Sequence, residues 1–235
     1  MNIVDYIILG IIGLNIIYGL YRGFIQSLLS LGGSILAVFA SFLYFPKVVD
    51  FIAQQTDIIS SLSYFTGAET LLKNVPAAGQ SVQSINSAGI MAALDQLQLA
   101  KPLDIILAQN IRQQAFRSAT QLTLGDYVAQ TVISVSIHII AFIACYFLAF
   151  SLISIVLNLL KGIFRFPALR HADALAGGLL GALRGVIFVL IIFTLSPLLQ
   201  TIVPIEEFRL LLNQSQFAPY FQNGNFIINI LQRKF

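Results

Sequence analysis

A chain of 235 residues that is 57% hydrophobic and only 10% charged, with a mean hydropathy of +0.86, has too little polar surface for a soluble globular domain. Its net charge of +3 is small and scattered, with no basic run interleaved with aromatics, which excludes a nucleic-acid footprint. A single cysteine, Cys145, excludes an intrachain disulfide and a cysteine metal cluster, and its apolar neighbours Ala144, Tyr146 and Phe147 mark it as an inert packing residue.

The apolar residues are bunched into blocks, the pattern of several spanning helices rather than one buried core. The first block runs from about Ile3 to Tyr21 without a charge between Asp5 and Arg22. It lacks the basic n-region and the cleavage site of a signal peptide and reads as an uncleaved first helix. Only Arg22 and Gly23 separate it from the second block, about Phe24 to Phe45, so the two are expected to form a tight helical hairpin. Tyr18, Tyr21 and Tyr44 lie near block ends, where amphipathic rings sit at a membrane interface.

From Pro46 to Asp126 the composition turns to Gln, Ser, Asn, Ala and Gly, with further prolines at Pro76 and Pro102. Within this non-membrane segment Leu103, Ile106, Leu107, Ile111 and Ala115 recur at helical spacing, with Asp104, Arg112 and Arg117 elsewhere on the wheel, which predicts an amphipathic helix. The third block, Tyr127 to Leu160, carries no formal charge and is too long for one hydrocarbon crossing of roughly 30 Å. Its first part holds Gln130, Thr131, Ser134, Ser136 and His138, and is expected to project into the interface or pack against other helices. His138 and the distant His171 make no metal pair, so a satisfied imidazole is the plainer reading of His138.

The fourth apolar run extends from Val186 to Val203, with Pro197 expected to kink it and Pro204 to end it. The tail, Ile205 to Phe235, reads as a surface extension with a short amphipathic helix. The division is therefore a first transmembrane hairpin (1–45), an extracytoplasmic helical segment (46–126), a second transmembrane hairpin (127–204) and a C-terminal tail (205–235). The fold class is an all-α membrane protein with four transmembrane helices in two hairpins.

Two related stretches stand out. Gly19-Leu-Tyr-Arg22-Gly23 and Gly181-Ala-Leu-Arg184-Gly185 each place an arginine between glycines at the spacing that lets helix backbones approach closely. The second extends into a double pattern, Gly177-xxx-Gly181-xxx-Gly185. They read as a parallel internal repeat, helix, turn, Arg-Gly, helix, used twice, with Gly19, Arg22, Gly23, Gly177, Gly181, Arg184 and Gly185 as the candidate packing and functional residues. Arg184 is expected to snorkel or to find a partner; Asp173, eleven residues earlier, and Asp5, at the other end of the first helix, are not obvious counter-ions.

Arg22 in one short loop and Lys161, Arg165 and Arg170 in the other put both loops in the cytoplasm by the positive-inside rule, and the N-terminus, the 46–126 segment and the tail outside. Arg209, Arg233 and Lys234 in the tail pull mildly the other way.

These features together resemble the colicin V production protein family of bacterial inner-membrane proteins. The likeness is carried by Asp5 followed by an apolar helix, by Gly19-Leu-Tyr-Arg22-Gly23-Phe24, by Gly32 and Gly33 in the second helix, and by Ala176-Gly-Gly-Leu-Leu-Gly-Ala-Leu-Arg184-Gly185 running into Val186 and Ile187. It covers residues 1–45 and about 125–203, while the 46–126 segment and the tail depart from the compact pattern. The resemblance implies a multi-pass inner-membrane accessory protein for production or export of a colicin V-type peptide toxin, with a wider envelope role. It also implies export or envelope proteins as partners beside the lipid bilayer. No phosphate-binding Gly-Lys-Ser/Thr loop, paired carboxylates or His-Glu-x-x-His spacing occurs, so the reading assigns no enzyme activity and no catalytic, cofactor or metal site. Two alternatives stay open: a homo-oligomeric channel or transporter lined by Arg22 and Arg184, and a membrane anchor for a separate periplasmic protein such as a protease.

Overall fold

The computed structural model describes residues 1–55, 78–82, 84–85, 89–90, 92, 103–113, 122–163, 172–202, 206–223 and 227. Among them the chain is helical: α1 (Ile3–Arg22), α2 (Phe24–Ala53), α3 (Leu103–Gln113), α4 (Leu124–Ile163), α5 (Ala172–Thr194), α6 (Ser196–Ile202), α7 (Glu206–Gln214) and α8 (Ala218–Asn223). Four segments are long and apolar enough to cross a membrane: Ile3–Arg22, Phe24–Ala53, Leu124–Leu159 and Ala172–Leu199. Contacts divide the chain into two units. The first holds Met1–Val48, Ile140–Thr194 and Glu206–Ile227; the second holds Val49–Ile139, Leu195–Ile205 and Ile228–Phe235.

In the first unit, α1 begins with a capping box. The Asn2 side chain accepts from the Val4 and Asp5 amides at 3.0 and 3.2 Å, and the Asp5 carboxylate accepts from the Asn2 amide at 2.9 Å. Helix α1 ends because Gly23 adopts φ +79° and ψ 178°, a backbone region essentially reserved for glycine, while its amide still bonds the Gly19 carbonyl at 3.0 Å. Arg22 in the last turn complements the negative end of the helix dipole.

The chain restarts at once as α2, whose buried face carries Ser27, Leu31, Ser34, Val38, Ser41 and Phe45 at helical spacing. The serines do not leave polar atoms unsatisfied in this face: Ser34 and Ser41 donate to the Ser30 and Ala37 carbonyls four residues back, at 3.0 and 2.6 Å. Phe42 and Phe45 of α2 pack against Phe142 of α4, with ring centroids 4.9 and 6.3 Å apart. Pro46 lies inside α2, so the composition change there is not a helix end. One amide donor is missing at that turn, and the helix passes it and runs to Ala53.

The main partner of α1 is α5, from the other half of the sequence, rather than its chain neighbour α2. Ile12 lies against Gly185, Asn15 against Gly181, Gly19 against Gly177, and Gly23 against Asp173, so the two helices are antiparallel. At the far end Ile8, Val189, Phe193, Leu212 and Ala218 form a buried cluster with Val4, Phe217 and Phe221 around it. The short amphipathic helix expected of the tail is α7, with Leu210 exposed and Leu212 buried, and α7 and α8 pack onto α1 and α5 rather than standing free as an extension. The Asn2 side chain donates to the Leu211 carbonyl, and Asp5, fully buried, accepts from the Ser215 hydroxyl at 2.5 Å and the Phe217 amide at 3.1 Å. Ser215 in turn accepts from the Ala218 amide at 2.9 Å and caps α8.

In the second unit, α4 opens with a second reciprocal cap: the Thr123 amide donates to Asp126 at 2.8 Å and the Asp126 amide to the Thr123 hydroxyl at 3.2 Å. The amphipathic α3 lies where the spacing predicts it, with Leu103, Ile106, Leu107 and Ile111 buried and Arg112 exposed. Leu107 and Ile111 join Leu124, Tyr127, Val128 and Val132 in one cluster. Asn110 donates to Thr131 at 3.1 Å inside it, so the polar start of the third block packs against protein. His138 Nδ1 donates to the Ser134 carbonyl at 2.8 Å, the satisfied imidazole expected. The fourth run breaks at Leu195, and Pro197 then stands in the first turn of α6, where its missing amide costs little. Ala115, Arg117, Arg165, Arg170, His171, Pro204, Arg233 and Lys234 lie outside the described residues, as do the side chains of Asp104, Lys161 and Arg209.

Candidate functional site

The seven candidate residues meet along one seam of the first unit, between α1 and α5. A Cβ at Gly19 or at Gly181 would enter the backbone of the facing helix, at the Gly177 and Asn15 carbonyls respectively. A Cβ at Gly177 would meet the Gly19 and Gly23 backbone, and one at Gly185 would come within 2.9 Å of the Ile12 Cα. Main chain thus touches main chain over about three turns, the close approach that small residues permit where lipid offers no hydrophobic drive to helix pairing. Gly178 faces the Leu20 side chain instead, with Leu20 Cγ 2.9 Å from the position of a Cβ.

The two Arg-Gly copies are complementary parts of this seam, and the expected repeat of helix, turn, Arg-Gly, helix is not found. Gly23 ends a helix, whereas Arg184 and Gly185 lie in the middle of α5 with no turn. The physical reason is that glycine serves two purposes: a positive φ at Gly23 and absence of volume at Gly181 and Gly185. The two uses look alike in a sequence.

By the seam's register Arg184 stands level with the middle of α1, roughly 13 Å along the axis from Arg22. Side chains on a helix lean toward its N-terminus, and in the antiparallel pair the N-terminus of α5 lies at the Arg22 end. Arg184 accordingly reaches toward Tyr18, with its Cζ 5.7 Å from that ring centroid. Arg22 Cζ lies 4.1 Å from the same ring. Phe150 and Phe188 flank Arg184 at 5.5 and 5.1 Å and stand edge-to-face with each other at 5.5 Å. Tyr146 stacks on Phe150 at 5.8 Å to complete the aromatic wall. Each desolvated cation–π contact of this kind is worth up to about 2 kcal/mol.

A cleft opens at this place, lined by Asn15, Tyr18, Arg22, Ser27, Ser30 and Arg184 together with the seam glycines Gly19 and Gly181. The Arg184 Nε is buried here with no hydrogen-bond partner. The arrangement can neutralise and hydrogen-bond an anion; among the described residues no group of three or more His, Cys, Asp or Glu side chains could hold a metal ion.

Sequence reasoning missed three parts of this site. Asp173 accepts from the Phe24 amide at 2.9 Å, so an acid from α5 caps the start of α2 across the seam. Only the three-dimensional register reveals it. Tyr18 was legible as an interfacial ring but not as the surface shared by both arginines. Phe188, four residues after Arg184, sits at the spacing of a helical side-chain pair and could have been found.

The family profile described as "Colicin V production protein" matches residues 4–77 and 88–225. The match takes in the α1–α5 seam and also most of the 46–126 segment and the tail to residue 225, well beyond the stretches that carried the resemblance in the sequence. No curated protein and no solved structure matches the chain.

Proposed function

The chain belongs to the colicin V production protein family, and from that premise we propose that it is a multi-pass protein of the bacterial inner membrane that supports production and export of a colicin V-type peptide toxin as an accessory scaffold. The observation that carries this reading is the extent of the family match, which spans nearly the whole chain including the tail packed on α1 and α5. The seam supports the scaffold character: backbone against backbone between α1 and α5 leaves no path between those helices, while Leu14, Ile17, Leu179 and Leu183 turn outward as apolar surface. On this reading the Arg22 end faces the cytoplasm, and export or envelope proteins dock on the outer helix faces or the 46–126 segment.

The test is made in cells carrying a toxin plasmid. Deleting the gene should shrink the growth-inhibition zone of the culture fluid, and a plasmid copy should restore it. An unchanged zone after deletion contradicts the reading. Affinity purification in mild detergent should bring down an export or envelope protein in stoichiometric amount.

One observation favours a second reading, a homo-oligomeric channel or transporter: a cleft lined by two arginines, one from each of the apolar helices α1 and α5. A clean homo-oligomer without other proteins, followed by anion flux in liposomes that Arg184→Gln abolishes, would establish it.

A further inference from the structure

We propose that the cleft lined by α1, α2 and α5 is a binding site for a phosphate-bearing anion, clasped between the guanidinium groups of Arg22 and Arg184. The inference does not depend on the role in toxin production.

The argument starts from charge. Arginine stays protonated in proteins, so both groups are fixed cations. The seam brings them to one ring, Tyr18, at 4.1 and 5.7 Å, near enough to repel each other. Neither makes an ion pair or a hydrogen bond among the described residues, and Arg184 Nε is buried without a partner. Asp173 stands at the same end of the seam but is engaged with the Phe24 amide at 2.9 Å. Asp5 is committed at the other end to Asn2, Ser215 and Phe217. The aromatic rings stabilise the positive charges but leave most of the in-plane N–H donors unused. A cationic pair carried by two apolar helices, with idle donors, calls for an anion.

The geometry points to phosphate. The two guanidiniums come from different helices, so one anion must present acceptor oxygens in more than one direction, which a tetrahedral phosphate does. The cleft adds small polar donors: the Ser30 hydroxyl and the second N–H of the Asn15 amide, whose other N–H goes to the Ile11 carbonyl at 2.8 Å. Arg22 closes the first span, the depth at which lipid phosphates lie, and Arg184 leans toward that end. A lipid headgroup and a soluble phosphate share this chemistry.

The test uses the full-length protein purified in a neutral detergent, with the melting temperature and native mass spectra read against added phosphatidylglycerol, phosphatidylcholine and, separately, inorganic phosphate at constant ionic strength. Phosphatidylglycerol should raise the melting temperature and give retained adducts, more than phosphatidylcholine does. Arg22→Gln, which changes a side chain at the helix end and none of the seam glycines, should weaken binding about tenfold or more, as should Arg184→Gln. Arg184→Lys should fall between, because the charge remains and the planar fork is lost. Arg112→Gln, on α3, should bind as the wild type does. A response to inorganic phosphate alone, with the same dependence on Arg22 and Arg184, would support the site and assign it to a soluble phosphate. Equal binding by wild type and Arg22→Gln, or no response to lipid or phosphate, overturns the proposal. Because the readout is binding to purified protein, its failure leaves the toxin assay untouched.

Discussion

Gly19–Gly23 and Gly181–Gly185 are spelled alike and do different work. In the first stretch the chain stops being helical: Gly23 takes φ +79°, and Phe24 begins a new helix capped by Asp173 from α5. In the second the helix runs straight through, and the glycines supply nothing but missing volume, into which the Asn15 carbonyl and the Ile12 Cα fit. The arginines differ in the same way. Arg22 closes a helix at its negative end, while Arg184 sits in mid-helix, surrounded by Tyr18, Phe150 and Phe188. A short motif in apolar sequence therefore reports that a backbone is special without saying how.

The sharpest way to break this comparison is Gly181→Ile. Its Cβ would crowd into the Asn15 backbone carbonyl, which cannot swing aside, so the usual overpacking cost of about 1–3 kcal/mol is a lower bound. The protein should fail to accumulate as a monodisperse species, and Gly185→Ile should behave similarly. Arg184→Gln, which leaves the seam intact, should accumulate far better; the reverse order would mean that the arginine and not the seam holds the pair together.

The next effect is Gly23→Ala, which tests conformation instead of volume. A non-glycine residue there is strained by about 1–3 kcal/mol and would also press on the Asp173 carboxylate. Its melting temperature in detergent should fall, and Asp173→Ala in the same chain should restore only part of the loss. A full restoration would show that crowding, not φ, makes the glycine necessary. Asp173→Ala alone removes the acceptor for the Phe24 amide and should cost about 0.5–2 kcal/mol, read as a smaller drop in melting temperature. Smallest is Gly13→Ala. Gly13 belongs to α1 but a Cβ there meets nothing within 4 Å, so the variant should be neutral or more stable by up to about 1 kcal/mol. A loss as large as that of Gly181→Ile would deny the seam its side of the helix.

The four apolar helices were legible because a charge-free run of sufficient length has few other uses. The amphipathic α3 was legible from the spacing of Leu103, Ile106, Leu107 and Ile111. What the sequence withheld was pairing. Chain neighbours joined by a two-residue turn are the natural first guess, and apolar faces carry no label saying which partner they meet. The clue lay in matching periods: Gly19 in one helix with Gly23 just past its end, Gly177, Gly181 and Gly185 in another, each too small to fill an interface alone. Asp5 is legible in the sequence as the charge that bounds the first apolar block, but Asn2 three residues earlier makes the pair a capping box, and the distant Ser215 and Phe217 give the carboxylate its remaining partners. Pro46 looked like a boundary because composition changes there; the helix passes through it, since one lost amide bond does not outweigh the packing of Phe42 and Phe45 on Phe142.

The antiparallel seam is tested most directly by a disulfide across it. In a Cys145→Ala background, Leu20→Cys with Gly178→Cys places two sulfurs where the Leu20 side chain now lies against Gly178, within the Cβ separation of roughly 3.5–4.5 Å that a disulfide needs. Mild oxidation of membranes should cross-link this pair within one chain, shifting its mobility without changing its mass class. Leu14→Cys with Gly178→Cys should stay reduced, because Leu14 turns outward and is 69% exposed. Cross-linking of the second pair and not the first would contradict the register on which the seam, the arginine cleft and the cap at Phe24 all depend.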